Sequence, residues 1–351
     1  MNESVTEAAP RHPEPETGTT GRRLRLLVPY VSMSSFIQRD IEILRSRHEV
    51  LLVPCRPLWK IPAAALRCLT ADGVYCWFGS TRFLPIVLLA RLAGRKVVVI
   101  TGGYDVANVP DIQYGNMRPG LNRLLGRLLF RTVDVVACYS KAAAAEAILN
   151  AGVSPERLKS IYLGFNGDER RHVESAPQKL PMVLTVSLIN ASTIDRKGLL
   201  AVVQTARLLP DVPFVIVGGY EPNALARLKA LAGPNVSFTG YVTEGELNEW
   251  YSKAKVYFQP SLHEAFGCSV AEAMLHNCTP VVTRRSSLPE VVGDSGYYVD
   301  VGDYEKMATV IRRALADAPP GREPPRNRIL REFPESKRRA AILDLLESVY
   351  A

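Results

Sequence analysis

With 351 residues, 47% of them hydrophobic and 22% charged, the chain can bury a sizeable core and is long enough for two domains. Its six cysteines, at positions 55, 68, 76, 138, 268 and 278, show neither metal-ligand spacing nor the density of a secreted disulfide scaffold, so reduced thiols and a cytoplasmic setting are expected. The formal charge of +8 is uneven: residues 23–172 carry 21 Lys/Arg against 11 Asp/Glu, and the excess points to an anionic partner without choosing among membrane, nucleic acid and acidic small molecule.

The first 22 residues are polar, rich in Pro, Glu and Thr, and lack the apolar centre of a signal peptide; a disordered leader is expected over 1–22. From Leu24 onward, short β-branched runs alternate with helical patterns: LRLLVP, a helix through Ser35 to Arg47, then EVLLVP, GVYCWF, KVVVIT, DVVACY and LKSIYL. Strands separated by helix-length segments imply parallel βαβ units. The apolar stretch Phe83 to Ile100 is broken by Arg91, Arg95 and Lys96, which excludes a simple bilayer span. KVVVIT ends in Gly102-Gly103-Tyr104-Asp105, where the aspartate either orients a ligand hydroxyl or satisfies its own backbone. Further on, LNRLLGRLLFR repeats Arg123, Arg127 and Arg131 every four residues beside Leu124, Leu125, Leu128 and Leu129, which places a basic stripe on one side of a helix and leucines on much of the other. Two readings stay open for it, a packed helix with a solvated basic face and a surface held on an anionic leaflet.

The polar stretch Asn166 to Lys179 has the composition of an interdomain linker. The strand rhythm restarts at Pro181 with MVLTVS, VPFVIVG, NVSFTG, AKVYFQP and TPVVT. The fold class predicted is α/β, with two Rossmann-like lobes facing a central cleft. Its parts are the leader (1–22), an N-terminal Rossmann-like domain (23–172), a C-terminal one (173–333), and a last helix (334–351, Glu335 to Tyr350) returning to the first lobe.

The segment Pro260 to Val292, PSLHEAFGCSVAEAMLHNCTPVVTRRSSLPEVV, is the most informative. It sets Glu264 at a strand end and Glu272 eight residues later, in a helix opened by the small residues after Phe266. One acid is thus expected at the helix entrance and the other two turns along. Ligands of open α/β sheets sit beyond the carboxyl ends of strands, where helix N-termini offer free N–H groups; the backbone at Gly267, Cys268 and Ser269 is the candidate phosphate cradle. Either glutamate alone reads more readily as a helix-dipole or surface-pair residue than as a site residue. HEAFG, EAM, TPVV and LPEVV in that order form a far more specific pattern.

That pattern resembles the signature of family 4 glycosyltransferases, whose two glutamates are likewise separated by seven residues. The resemblance implies a GT-B fold and retaining transfer of a sugar from a nucleoside-diphosphate sugar to a hydroxyl acceptor, which would be a glycan, a lipid-linked molecule or a small molecule. It further implies that Glu264 contacts hydroxyls of the donor sugar, that Glu272 accepts from the nucleotide ribose, and that Phe266, Gly267, Cys268 and Ser269 border the donor. A carboxylate suits paired hydroxyl donors because it only accepts. Asp195-Arg196-Lys197-Gly198, after the first strand of the second lobe and at the start of a helix, would supply cations to the departing diphosphate, with Lys197 favoured over Arg196. By the same resemblance Gly218 and Gly219 would form the turn near the nucleotide, Tyr241 or Val242 would lie at the base, and Asp105 would orient a hydroxyl of the donor sugar or the acceptor.

No cofactor and no metal are expected beside the donor, since the chain has no Asp-x-Asp motif. Two departures from the family stand out: Gly102 occupies a place where many relatives carry histidine, and Ser187-Leu188-Ile189 a place where they carry arginine. A GT-B epimerase, an inactive donor-binding homologue and a basic nucleic-acid-binding protein are the alternatives. Nucleic acid is the weakest partner, because the aromatics lie in strand-like apolar runs and are not interleaved with basic ones. No full Gly-x-Gly-x-x-Gly follows a strand, which argues against a dinucleotide-dependent dehydrogenase. The basic first lobe adds peripheral attachment to the inner membrane face as an expectation.

Overall fold

The computed structural model describes residues 22–56, 58–167, 178–318, 320–321 and 323–351. Residues 1–21 of the expected leader and the centre of the expected linker lie outside these residues; Arg22, at the leader's end, pairs with Asp72.

The first lobe is built from β1 (Arg25–Tyr30), α1 (Ser35–Arg45), β2 (Glu49–Pro54), α2 (Ile61–Arg67), β3 (Gly73–Trp77), α3 (Leu84–Leu92), β4 (Lys96–Ile100), α4 (Leu121–Thr132), β5 (Val135–Cys138), α5 (Lys141–Glu146) and β6 (Leu158–Ser160). The second contains β7 (Leu180–Val186), α6 (Ala191–Arg196), α7 (Leu199–Arg207), β8 (Phe214–Val217), α8 (Pro222–Lys229), β9 (Val236–Gly240), α9 (Glu244–Lys253), β10 (Ala254–Gln259), α10 (Cys268–Leu275), β11 (Thr279–Thr283), α11 (Leu288–Val292), β12 (Tyr297–Val299) and α12 (Tyr304–Ala316), followed by α13 (Pro325–Glu332) and α14 (Glu335–Tyr350).

Each lobe holds a six-stranded sheet, ordered β2-β1-β3-β4-β5-β6 and β12-β11-β10-β7-β8-β9, with every strand pair parallel. Strands covered by helices on both faces need continuous apolar runs, which is why FVIV and TPVVT are buried at every position. Strand order reverses between β1 and β3 in one sheet and between β7 and β10 in the other. Crevices at such reversals are where open α/β sheets bind ligands.

Several elements differ from expectation. Helix α1 stops two residues early, at Arg45. Strand β12 has only three residues, too few for a visible pattern. A short helix, α6, runs into the basic tetrad, so Asp195 and Arg196 end it and Gly198 caps the next helix. Asn190 and Thr193 start α6 with a reciprocal capping box, and Gly198, at φ 69°, breaks it. A β-carbon at Gly198 would lie 2.3 Å from the Pro260 carbonyl oxygen, so glycine also lets this turn touch the exit of β10.

Helix α4 reverses part of its expected facing. It buries Gly126, Leu129 and Phe130. Leu121, Leu124 and Leu128 are 68%, 67% and 45% exposed, whereas Arg127 is half-buried and donates to the Asn150 carbonyl at 2.9 Å. Packing follows Gly126, whose missing side chain admits Met117, and that choice turns three leucines outward.

The chain passes between the lobes twice. Phe165 N–H donates to the Phe333 carbonyl at 2.9 Å and Glu335 N–H to the Phe165 carbonyl at 3.1 Å, so the two passages lie side by side. Helix α13 packs on α10 of the second lobe and α14 on α1 of the first. All six cysteines are free thiols. Among the described residues no helix is long and apolar enough to cross a membrane.

Candidate functional site

The carboxyl end of the second sheet gathers most of the residues singled out from sequence. After β10 the chain runs through Pro260 to Phe266 before α10 begins, so Glu264 sits in a loop five residues beyond the strand. Glu272 is little more than one turn into α10, which starts at Cys268; the expected two turns counted loop residues as helix. Gly267, at φ 100°, supplies the left-handed turn that opens the helix.

Glu264 is only 9% exposed, and its carboxylate is surrounded by donors. Its Oε1 accepts from Gln259 Nε2 at 2.9 Å and Ser261 Oγ at 3.1 Å, with Arg196 Nη1 and Lys197 Nζ each 3.6 Å away. Ser269 Oγ and Tyr257 OH both donate to Gln259 Oε1 at 2.8 Å, which fixes the amide so that its N–H points at Glu264. Sequence reasoning missed Gln259, although a polar residue closing a buried strand is a usable signal. Arg196 is held further: Nη1 reaches the His263 carbonyl at 3.4 Å, and the guanidinium stands 5.1 Å from the Tyr114 ring centre.

The neighbouring strand ends complete this edge. Gly218, at φ 142°, donates its N–H to the Gly240 carbonyl at 3.1 Å, and a β-carbon there would come within 2.2 Å of Ser187 O. Gly219 accepts from Ile189 N–H at 2.8 Å. Tyr241, directly after β9, is 85% exposed, while Val242 is half-buried against the core. Glu272 Oε2 accepts from Tyr251 OH at 3.1 Å. Cys268 is pushed up to about 12 by burial, beside Glu272 and Glu264, and stays a thiol.

Two expected residues are placed differently. Phe266 is 2% exposed and packs on Phe165, Phe333 and Tyr162, with ring centres 5.8, 5.3 and 6.4 Å away, so its side chain belongs to the core under both chain crossings. Asp105 is buried and accepts from Gly79 N–H at 2.6 Å and Gly102 N–H at 3.0 Å. Burial raises its pKa against those N–H bonds. It ties the ends of β3 and β4 together, and the backbone alternative describes its contacts.

The lobes meet around this edge. A β-carbon on Gly103 would approach Ala265 Cβ to 2.4 Å. Ser140 caps α5 by accepting from Ala143 N–H and donates to the Ala265 carbonyl at 2.9 Å. His263 Nε2 lies 2.9 Å from Glu146. Glu290, on α11, accepts from Lys141 N–H at 2.9 Å, Ala142 N–H at 2.8 Å and Tyr162 OH at 2.7 Å, capping a helix of the other lobe. Tyr114, from the first lobe, stands beside His263 and Arg196; burial pushes its hydroxyl up to about 12, aided by Glu264, Asp105 and Glu146 and opposed by Arg196. On the first-lobe side a cavity of about 320 Å³ is lined by Phe78, Gly79, Ser80, Gly102, Tyr104 and Asp105, among others.

Two facing Rossmann-like lobes, with a polar cluster at the reversal of the second sheet, are the architecture of GT-B glycosyltransferases. In keeping with this, residues 181–317 match the family model described as Glycosyl transferases group 1. Among solved structures, Alr3699/HepE of Anabaena, in complex with UDP and glucose, is similar at TM-score 0.74 and 16% identity, over 93% of this chain and 100% of that one. Sucrose-phosphate synthase of Thermosynechococcus elongatus is similar at TM-score 0.72 and 15% identity, over 93% of this chain and 99% of that one. In sequence, O-antigen chain mannosyltransferase B of Escherichia coli is 31% identical over 212 residues, 56% of each chain. Serotype-specific mannosyltransferase WbdA of Escherichia coli is 28% identical over 209 residues, 54% of this chain and 25% of that protein. The chain therefore spans a quarter to about half of the length of these two relatives.

Proposed function

We propose that this chain is a retaining glycosyltransferase that moves a hexosyl group from a nucleoside-diphosphate sugar to a hydroxyl acceptor, with the donor on the second lobe and the acceptor on the first. The convergence of Glu264, Arg196 and Lys197 at the reversal of the second sheet carries this reading. As the glycosidic bond breaks, its electron pair passes to the diphosphate. Cations fixed before the reaction stabilise that growing charge more than the ground state. Lys197 and Arg196 supply them in this scheme, and the amides at Gly267, Cys268 and Ser269 face the phosphates from the N-terminus of α10.

Glu264 accepts from hydroxyls of the donor sugar. Its oxygen Oε1 is already engaged by Gln259 and Ser261, which suits an orienting acceptor more than a nucleophile. Attack by the acceptor hydroxyl on the face the diphosphate leaves then accounts for retention, its proton passing to the departing diphosphate oxygen on that same face, and positioning and electrostatics supply the catalysis without a metal ion. Glu272 takes the ribose, Gly218 and Gly219 border the nucleotide, and Tyr241 or Val242 lies at the base. Asp105 shapes the acceptor side by holding Gly79 and Gly102. The acceptor is a glycan, a lipid-linked molecule or a small molecule.

The experiment is a thermal-shift screen against UDP-, GDP-, ADP- and TDP-sugars, mannosyl donors included because relatives are named mannosyltransferases. Stabilisation by one class, lost in Glu272→Ala, supports the reading. No shift with any donor sinks it.

The stripe of Leu121, Leu124 and Leu128 on the basic lobe supports peripheral attachment of a cytoplasmic enzyme to an anionic leaflet. Flotation with anionic and neutral vesicles tests it; absence from both removes the attachment.

A further inference from the structure

The first lobe has a second cavity, of about 260 Å³, at the reversal of its own sheet. Its walls come from the carboxyl ends of β1, β2 and β3: Tyr30 and Ser32, then Arg56, then Phe78 and Ser80, with Arg82 just beyond. It adjoins the Asp105 cavity, since Phe78 and Ser80 line both.

Some cations of this lobe are neutralised by carboxylates, but the two arginines at this cavity are not, and what sets them apart is that both line one cavity. Arg25 pairs with Glu49, Arg91 and Lys96 with Asp134, and Arg47 with Glu347. Arg56 and Arg82 have no carboxylate within ion-pair distance among the described residues, and both are exposed at the cavity. Two unneutralised guanidiniums beside three hydroxyls form a donor-rich wall. A planar fork of N–H donors fits a phosphate through paired hydrogen bonds, and a hydroxyl can fill the remaining oxygen positions.

Phe78 gives the second observation. It is an aromatic residue at φ 70°, in the left-handed region that large side chains rarely adopt. Strain of this kind persists where surrounding structure enforces it and gathers at ligand sites. Here Phe78 N–H is fixed by the Ile100 carbonyl at 2.8 Å and the next N–H, of Gly79, by Asp105 at 2.6 Å. The ring lies over Gly102, where a β-carbon would meet it at 2.1 Å. The absence of a side chain at position 102 and the strained turn together set the Phe78 ring as the shared wall of the two cavities.

We infer that the acceptor carries a phosphate group, bound by Arg56 and Arg82 at the reversal of the first sheet, while its reactive hydroxyl lies in the adjoining cavity beside Asp105. This rests on the transferase reading for the hydroxyl; the phosphate site itself can be scored without it. A soluble sugar phosphate and a phospholipid-linked acceptor present the same group.

Calorimetry on the full chain tests the site, with nucleoside diphosphate present to fill the Arg196–Lys197 region. The probes are glucose 6-phosphate, glucose, and vesicles of phosphatidic acid or phosphatidylcholine. The expected result is binding of glucose 6-phosphate and not glucose, or of phosphatidic acid, a phosphomonoester, in preference to phosphatidylcholine, whose phosphate is a choline-capped diester; the binding is weakened about tenfold or more in Arg56→Gln/Arg82→Gln. Nucleoside diphosphate affinity should stay unchanged and so report an intact fold. Preference for glucose 6-phosphate assigns a soluble acceptor, and preference for phosphatidic acid a lipid-linked one. Equal affinity in wild type and double variant, or no phosphate probe bound by wild type, overturns the inference. Failure of the nucleoside diphosphate alone to bind would count against the transferase reading and leave the phosphate result standing.

Discussion

Arg338 on the last helix donates two 2.7 Å hydrogen bonds to the Asp40 carboxylate on the first, across 298 positions of sequence. The pair is buried, and the same guanidinium donates to the Tyr162 carbonyl at 2.8 Å. Removing one member leaves the other charged and dry, so Asp40→Ala should cost about 3–5 kcal/mol in urea unfolding. Asp40→Leu with Arg338→Met should restore much of that loss, because neither charge is then stranded. A single variant as stable as wild type would show that water reaches this pair.

Lys197 and Arg196 are equally far from Glu264, but Arg196 is also bound to the His263 carbonyl and stands against Tyr114. Lys197 is the freer cation. Lys197→Ala is expected to lower kcat by about a hundred- to a thousandfold, with Lys197→Arg recovering part. Arg196→Ala should cost less in kcat and more in thermal stability. The opposite ranking would assign the diphosphate to Arg196.

Gly103 stands at φ 96° with no room for a side chain before Ala265 of the other lobe. Gly103→Val should destabilise by about 1–3 kcal/mol through backbone strain. It should also hold the lobes apart, lowering turnover while nucleotide affinity stays near wild type. Small-angle scattering with nucleotide bound would show the larger radius of gyration; an unchanged radius with normal turnover would mean that this contact does not set closure.

Tyr114 ties pH to the same interface. Its folded pKa, about 12, exceeds the ordinary tyrosine value of 10, mainly through burial. A raised pKa gives stability that is fully present below pH 10 and is lost as pH climbs to 12, because the unfolded chain releases the proton first. The loss attributable to this group is at most about 3 kcal/mol. Urea midpoints at pH 9 and 11.5 should therefore fall less in Tyr114→Phe than in wild type. Parallel falls would show that the hydroxyl reaches solvent in the folded protein.

The two sheets were legible because their strands are buried on both faces and read as unbroken apolar runs. The second-lobe edge was legible because HEAFG, EAM and LPEVV carry a spaced pattern. What escaped the sequence depends on partners far along the chain. Phe266 sits among small and polar residues, and only the return of Phe165 and Phe333 makes it core. The facing of α4 was hidden because Gly126, which decides it, contributes no hydrophobicity of its own. Tyr114 has no local signature and is brought to the cleft by tertiary packing, while the polar end of a buried strand marks Gln259 but not its orientation, which Ser269 and Tyr257 set.

The double passage of the chain beside Phe165 and Pro334 has a mechanical meaning. Two bodies joined at a single point can swivel in any direction, whereas two adjacent hydrogen-bonded crossings leave chiefly one rotation, like a door on its pins. Closure of the cleft would then bring Gly103 to Ala265 and α5 to Glu290 along a repeatable arc. A chain cut after Phe333 would keep both sheets but lose one pin, and its lobes would meet in many orientations, few of which align the Asp105 cavity with Glu264.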